Sequence, residues 1–99
     1  MENSQLETLL KLKENFQEQL NQINEVEYEY ASKIASLKKQ YEHISKQKMF
    51  DEKILKSLEM TINFEESQLV NFKSYSQEKE THYESLLEMV NKSIKVLTQ

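Results

Sequence analysis

The sequence has neither glycine nor proline in its 99 residues. Average usage, about 7% Gly and 5% Pro, would supply roughly a dozen of the two together. These residues make most tight turns and most interruptions of helices and strands. Their absence excludes a fold assembled from many short elements, and without Gly a Gly-rich phosphate-binding loop is excluded too. Cysteine is also missing, which removes disulfides, a thiol nucleophile and thiolate metal sites. There is no Arg and no Trp. No apolar run exceeds two residues, as at Leu9-Leu10 or Met89-Val90. A membrane-spanning helix needs about 20 mainly apolar residues, so none is expected. The acidic start MENSQLE, with no apolar stretch after it, does not read as a secretory signal. The expected location is cytoplasmic, or peripheral to a membrane or the cytoskeleton.

What is present favours helix. Glu, Lys, Leu, Gln and Ser dominate, and several of these are strong helix formers. The chain is 37% hydrophobic and 30% charged, too polar for a globule around one deep core. That balance suits helices that each bury one stripe. The expectation is an all-α protein with residues 1–99 forming a single helical domain.

The stripe is visible as a heptad repeat. With Leu6 at position a and Leu9 at position d, ten of fourteen a positions and nine of fourteen d positions are apolar or aromatic. A sustained repeat of 3.5 residues marks coiled-coil-type packing, since a plain 3.6-residue pattern drifts out of phase. In the first half the expected packing core is Leu9, Phe16, Leu20, Ile23, Tyr30, Ile34, Leu37, Tyr41 and Ile44. In the second half it is Leu55, Leu58, Ile62, Leu69, Phe72, Tyr83, Leu86, Val90 and Leu97. Tyr28 and Tyr75 fall off the stripe and are expected to be exposed.

The repeat falters at Lys48 and Asp51, and again at Ser76 and Lys79. The first break lies at the midpoint and separates arms of about 4–45 and 53–98. The outer ends of both arms have wider apolar faces, with Leu10 and Leu12 on one and Leu87 and Ile94 on the other. A hairpin would bring these ends together. Met49, Phe50 and Phe64 lie off the stripe, where a turn or a third helix would cover them. Against a hairpin, the heptad phase is unchanged across residues 45–53, and no Gly or Pro marks a turn there. A continuous rod is therefore the competing architecture. The favoured expectation is a long antiparallel helical hairpin that turns within residues 45–53 and dimerises into an elongated helical bundle. Ser4 to Glu7 has the form of a capping box, which would start the first helix, although the form recurs at Thr81–Glu84 and Ser85–Glu88.

The stretch VEYEYASKIASLKKQY places Val26-Glu27, Tyr30-Ala31, Ile34, Leu37, Lys38-Lys39 and Tyr41 at spacings that resemble the signature near the start of F-BAR (FCH) domains. In the second half His82, Leu86, Met89, Ile94 and Leu97 fit the family pattern loosely. The Arg that usually precedes the signature and the Trp often found in the second half are absent. The resemblance implies a long first helix followed by a break, dimerisation along the helices and contact with anionic membranes. F-BAR domains have further long helices, so it also implies a fragment or a minimal relative.

Net charge is −4 but uneven. Residues 1–32 hold two Lys and seven Glu, residues 33–56 hold seven Lys and three acids, and residues 57–99 hold four Lys and seven Glu. The middle block, Lys33, Lys38, Lys39, Lys46, Lys48, Lys53 and Lys56, is a basic island between acidic arms. It is a candidate contact for an anionic membrane surface or an acidic partner, against the plainer alternative of a solvated helix face. Nucleic acid is not an expected partner, since the chain lacks Arg and is acidic.

Catalysis has little to work with. His43 and His82 are the only histidines, and neither follows a Glu at the spacing of helical metal sites. No cofactor, metal or catalytic residue is expected. The expected function is a non-enzymatic oligomerisation or scaffold module, a homodimer in its favoured form. The alternative is a coiled-coil subunit of a larger cytoskeletal, spindle or tethering complex. A small helical chaperone, a third possibility, would have loosely packed ends.

Overall fold

The computed structural model describes residues 2–99. Two helices account for nearly all of them: α1, Glu2–Ser45, and α2, Glu52–Thr98. No strand occurs among the described residues. The helices run antiparallel as a hairpin, and residues 46–51 make the connection. The break at Lys48 and Asp51 is therefore a turn and the rod is excluded.

The turn is made without glycine and without any left-handed residue. At the end of α1 the Lys46 amide donates to the Glu42 carbonyl at 3.3 Å and the Gln47 amide to the Ile44 carbonyl at 3.2 Å. This tightening satisfies terminal carbonyls that a C-terminal glycine often serves. The Ser45 hydroxyl also donates to the Glu42 carbonyl, at 2.8 Å. Asp51 then caps α2. Its side chain accepts the Lys53 amide at 2.9 Å, while its carbonyl accepts the Leu55 amide at 3.1 Å. Asp is among the best residues for this place, because its oxygen meets an amide that has no partner inside the helix.

Ser4 does not start α1, which already begins at Glu2. It lies inside the helix, where its carbonyl accepts the Thr8 hydroxyl at 2.9 Å. Thr81 likewise donates to the Gln77 carbonyl at 3.0 Å within α2. Hydroxyls that bond one turn back are compatible with a helix interior, so the S/T-x-x-E pattern carries no start signal here.

Contacts divide the hairpin into two units, Val26–Ser74 around the turn, and α1 up to Glu25 with Tyr75–Gln99. In the turn unit Ile34 and Ile62 are buried, and the Tyr30 and Phe72 rings meet at 6.2 Å between centroids. In the other unit Val90 is buried and the Phe16 and Tyr83 rings meet at 6.0 Å. Such tilted pairs join two helices through wide, amphipathic side chains. All the expected core residues except Leu97 are buried or half-buried. Leu97, in the last turn of α2, is exposed and lines an open cleft with Ser4, Gln5, Thr8 and Leu9 of α1. Tyr28 and Tyr75 are exposed, as their off-stripe positions imply.

Candidate interaction surfaces

The hairpin divides the basic island. Lys33 reaches Glu65 at 2.8 Å and Lys38 reaches Glu66 at 3.0 Å, both from α1 to α2. Lys46 pairs with Glu42 one turn earlier on α1 at 3.3 Å. Lys39, Lys48, Lys53 and Lys56 make no ion pair among the described residues. Three of the seven lysines thus face intramolecular partners. Of the four left over, three lie at or just after the turn.

Glu65 falls on the heptad stripe, a charged residue that sequence reasoning did not single out. It is 8% exposed at a core d position, with Lys33 as its counter-charge. The missed signal was the Lys33–Glu65 pairing itself, which only the antiparallel register of the helices reveals. A cleft of about 260 Å³ opens beside the pair, lined by Val26, Glu29 and Tyr30. Ser76, in the second break of the repeat, is buried at 1% exposure, and no buried side-chain nitrogen or oxygen among the described residues lacks a partner.

Lys79, the companion of Ser76 in the second break, is exposed. It turns back along α2 to Tyr75, donating to the phenol oxygen at 2.9 Å with its ammonium 4.5 Å from the ring centroid. The hydrogen bond from Lys79, and then its positive charge, hold the Tyr75 phenol below its ordinary pKa. The same two contacts raise the Lys79 ammonium.

The turn and the following part of α2 leave apolar side chains uncovered. Met49 is 93% exposed and Phe50 44%, and among the described residues no third helix lies over them or over Phe64. Along α2 from 54 to 74 the charged residues are Lys56, Glu59, Glu65, Glu66 and Lys73. All five fall at heptad positions b, d and e. The flank made by positions c, f and g, which runs through Ile54, Met60, Thr61, Phe64, Ser67 and Asn71, carries no charge. Ile54, Met60 and Phe64 are exposed on it.

At the open end a cleft of about 550 Å³ lies between Thr8 and Leu9 of α1 and Ser93, Val96 and Leu97 of α2. Leu10 and Leu12 are exposed in the same unit, so the wide apolar faces of the two arms do not fully cover one another.

No group of three or more His, Asp or Glu side chains able to hold a metal occurs among the described residues. No helix among them is long and apolar enough to cross a membrane. The chain matches no protein-family model, and no curated protein and no solved structure is similar to it at a significant level.

Proposed function

We propose that this chain is a non-catalytic helical scaffold module that self-associates, two hairpins joining along their α2 helices into a four-helix bundle. The observation that carries this reading is the uncharged flank of α2 between Ile54 and Ser74. In a chain that is 30% charged, the nine c, f and g positions of that flank would ordinarily hold about three charges. Depletion of charge is typical of the centre of an interface. The apolar residues Ile54, Met60 and Phe64 come in the first part of the flank, interspersed with Ser57 and Thr61, and only uncharged polar residues, Ser67, Gln68, Asn71 and Ser74, follow. Two copies laid antiparallel with Phe64 near the two-fold axis set Ile54 against Ser74 and Met60 against Gln68, and no like charges meet on the flank. A second copy is therefore the occupant this face suits.

The surface area agrees in size. The chain exposes 8078 Å², where a compact protein of its mass exposes about 6,000 Å². Covering roughly 800 Å² per partner, the usual share of a stable interface, lies within that surplus. The F-BAR-like version of the reading rests on the Val26–Tyr41 spacing and the looser fit of His82, Leu86, Met89, Ile94 and Leu97.

Absolute mass in solution tests the proposal. The chain is expected to have twice its monomer mass, and Phe64→Lys, which puts an unpaired charge at the centre of the flank, is expected to return it to a monomer of unchanged helicity. A wild-type chain that stays monomeric at all accessible concentrations ends the self-association reading. The coiled-coil-subunit alternative then becomes the better one.

A further inference from the structure

The connection between the helices holds two adjacent exposed apolar side chains, Met49 almost wholly in water and Phe50 partly so, with Ile54 exposed in the first turn of α2. An isolated exposed apolar residue is normal on any protein. Here two neighbours sit together on a turn, and lysines bracket them: Lys46 and Lys48 before, Lys53 and Lys56 after. Lys48, Lys53 and Lys56 make no ion pair among the described residues. Of the nearby acids one is held by a lysine. Glu42 holds Lys46, and the Asp51 carboxylate accepts the Lys53 amide at the positive end of α2. Glu52 is the remaining acid of the turn region. Between Glu42 and Lys56 four Lys stand against Glu42, Asp51 and Glu52, so the tip offers an apolar point beside three lysines without an ion pair among the described residues, with a small excess of positive charge.

That combination has a specific physical partner. Weak apolar insertion alone gives marginal and reversible attachment to a bilayer, and so does a small cluster of lysines alone. The two together are additive at the level that holds a protein on a surface. A narrow turn can enter the layer between headgroups and acyl chains without a preformed groove, whereas a protein partner would need one shaped for Met and Phe. We propose that the hairpin tip docks on anionic lipid bilayers. Met49 and Phe50 enter the boundary between headgroups and acyl chains, and Lys48, Lys53 and Lys56 meet lipid phosphates. Lys33 and Lys38 take no part, since Glu65 and Glu66 already neutralise them. The proposal goes beyond self-association and does not depend on it.

The absence of Trp makes the test direct. Phe50→Trp places a single indole at the tip of the full chain, and its emission is read against phosphatidylcholine vesicles with and without phosphatidylserine. A blue shift is expected with the anionic vesicles and none with the neutral ones. In the same background Lys48→Glu with Lys53→Glu is expected to raise the lipid concentration at half-maximal shift at least about tenfold, since each lysine near an anionic surface is worth about fivefold. Met49→Ser is expected to weaken binding as well, and its near-complete exposure leaves folding unaffected. Circular dichroism checks that each variant stays helical. The proposal is overturned by an unchanged emission with every vesicle, by equal shifts on neutral and anionic vesicles, or by charge reversal without effect. It is equally overturned if free inorganic phosphate or polyglutamate gives the full shift without lipid, which would mark a soluble anion or an acidic protein as the ligand. Mass measurements in solution do not enter this readout, so failure of self-association and failure of the tip proposal remain distinguishable.

Discussion

Lys33 of α1 and Glu65 of α2 form an ion pair 2.8 Å long across the hairpin, and its two ends lie in different environments. The Lys33 side chain is 60% exposed, the Glu65 side chain 10%. The lysine is largely in water while the carboxylate takes the place of an apolar core residue. Removing the lysine therefore costs more than removing the pair.

Lys33→Met is expected to destabilise the hairpin by about 1–2 kcal/mol, less than for a fully buried pair because solvent still reaches one side. Replacing both residues with Leu is expected to leave stability equal or higher, as for other ion pairs exchanged for packed apolar groups. Thermal unfolding followed by circular dichroism separates the two variants. If Lys33→Met unfolds at the wild-type temperature, Glu65 is adequately solvated and the asymmetry has no energetic content.

Asp51 carries the start of α2 through its bond to the Lys53 amide. Asp51→Ala is expected to cost about 1 kcal/mol and Asp51→Asn much less, since Asn retains an oxygen for the amide. For a domain of this size the first change corresponds to a fall in Tm of about 4–8 °C. Equal losses in both variants would show that the charge of Asp51, rather than its capping oxygen, matters.

The thin core makes single apolar residues unequal. Ile34 and Ile62 are buried in the turn unit, whereas Leu97 is exposed in the other unit. Ile34→Ala or Ile62→Ala is expected to cost about 2–4 kcal/mol, and Leu97→Ala well under 1 kcal/mol. Urea titrations would read all three, and a large loss from Leu97→Ala would mean that something covers it in solution.

Tyr75 and Lys79 give a pH signature. The lowered Tyr75 pKa means that its ionic contribution is present above the ordinary tyrosine value and is lost as pH falls through the lowered one. The raised Lys79 pKa means that its contribution is present below the ordinary lysine value and is lost as pH rises through the raised one. The two overlap only in a mildly alkaline window, around pH 10. At neutral pH the tyrosine is uncharged and the contact is a hydrogen bond to a lysine on an exposed face. Lys79→Met is expected to move the Tyr75 titration upward to its ordinary value, followed by NMR of ring-labelled tyrosine. A titration that does not move would show that the contact is not kept in solution.

Much of the fold was legible because its physics is periodic. Without Gly or Pro the chain has few ways to stop a helix, and the a and d spacing selects the face each helix buries. Sixteen positions from Leu9 to Leu86, and Val90 after them, are covered as that spacing requires. Four polar residues on the stripe, Lys13, Glu27, Glu65 and Ser76, are covered as well, whereas Lys79 and Ser93 are exposed. Asp51 was legible as a break but not as a cap, because a capping oxygen is recognised by the amide it meets and not by its heptad position.

The functional surfaces were legible only in part. Seven lysines between 33 and 56 read as one island, but the antiparallel register gives Lys33 and Lys38 partners on α2 and leaves the charge around the turn available. Met49 and Phe50 read as residues awaiting cover, and the hairpin leaves Met49 almost wholly and Phe50 partly in water.

Composition and periodicity alone determined that the chain is helical and which stripe each helix buries, because hydrogen bonding and side-chain direction within a helix repeat with sequence distance. The tertiary structure decided that the chain turns at 46–51, which charges cancel and which apolar side chains stay in water. Those outcomes depend on which residues of α1 and α2 face each other, a relation between distant positions that no local spacing records.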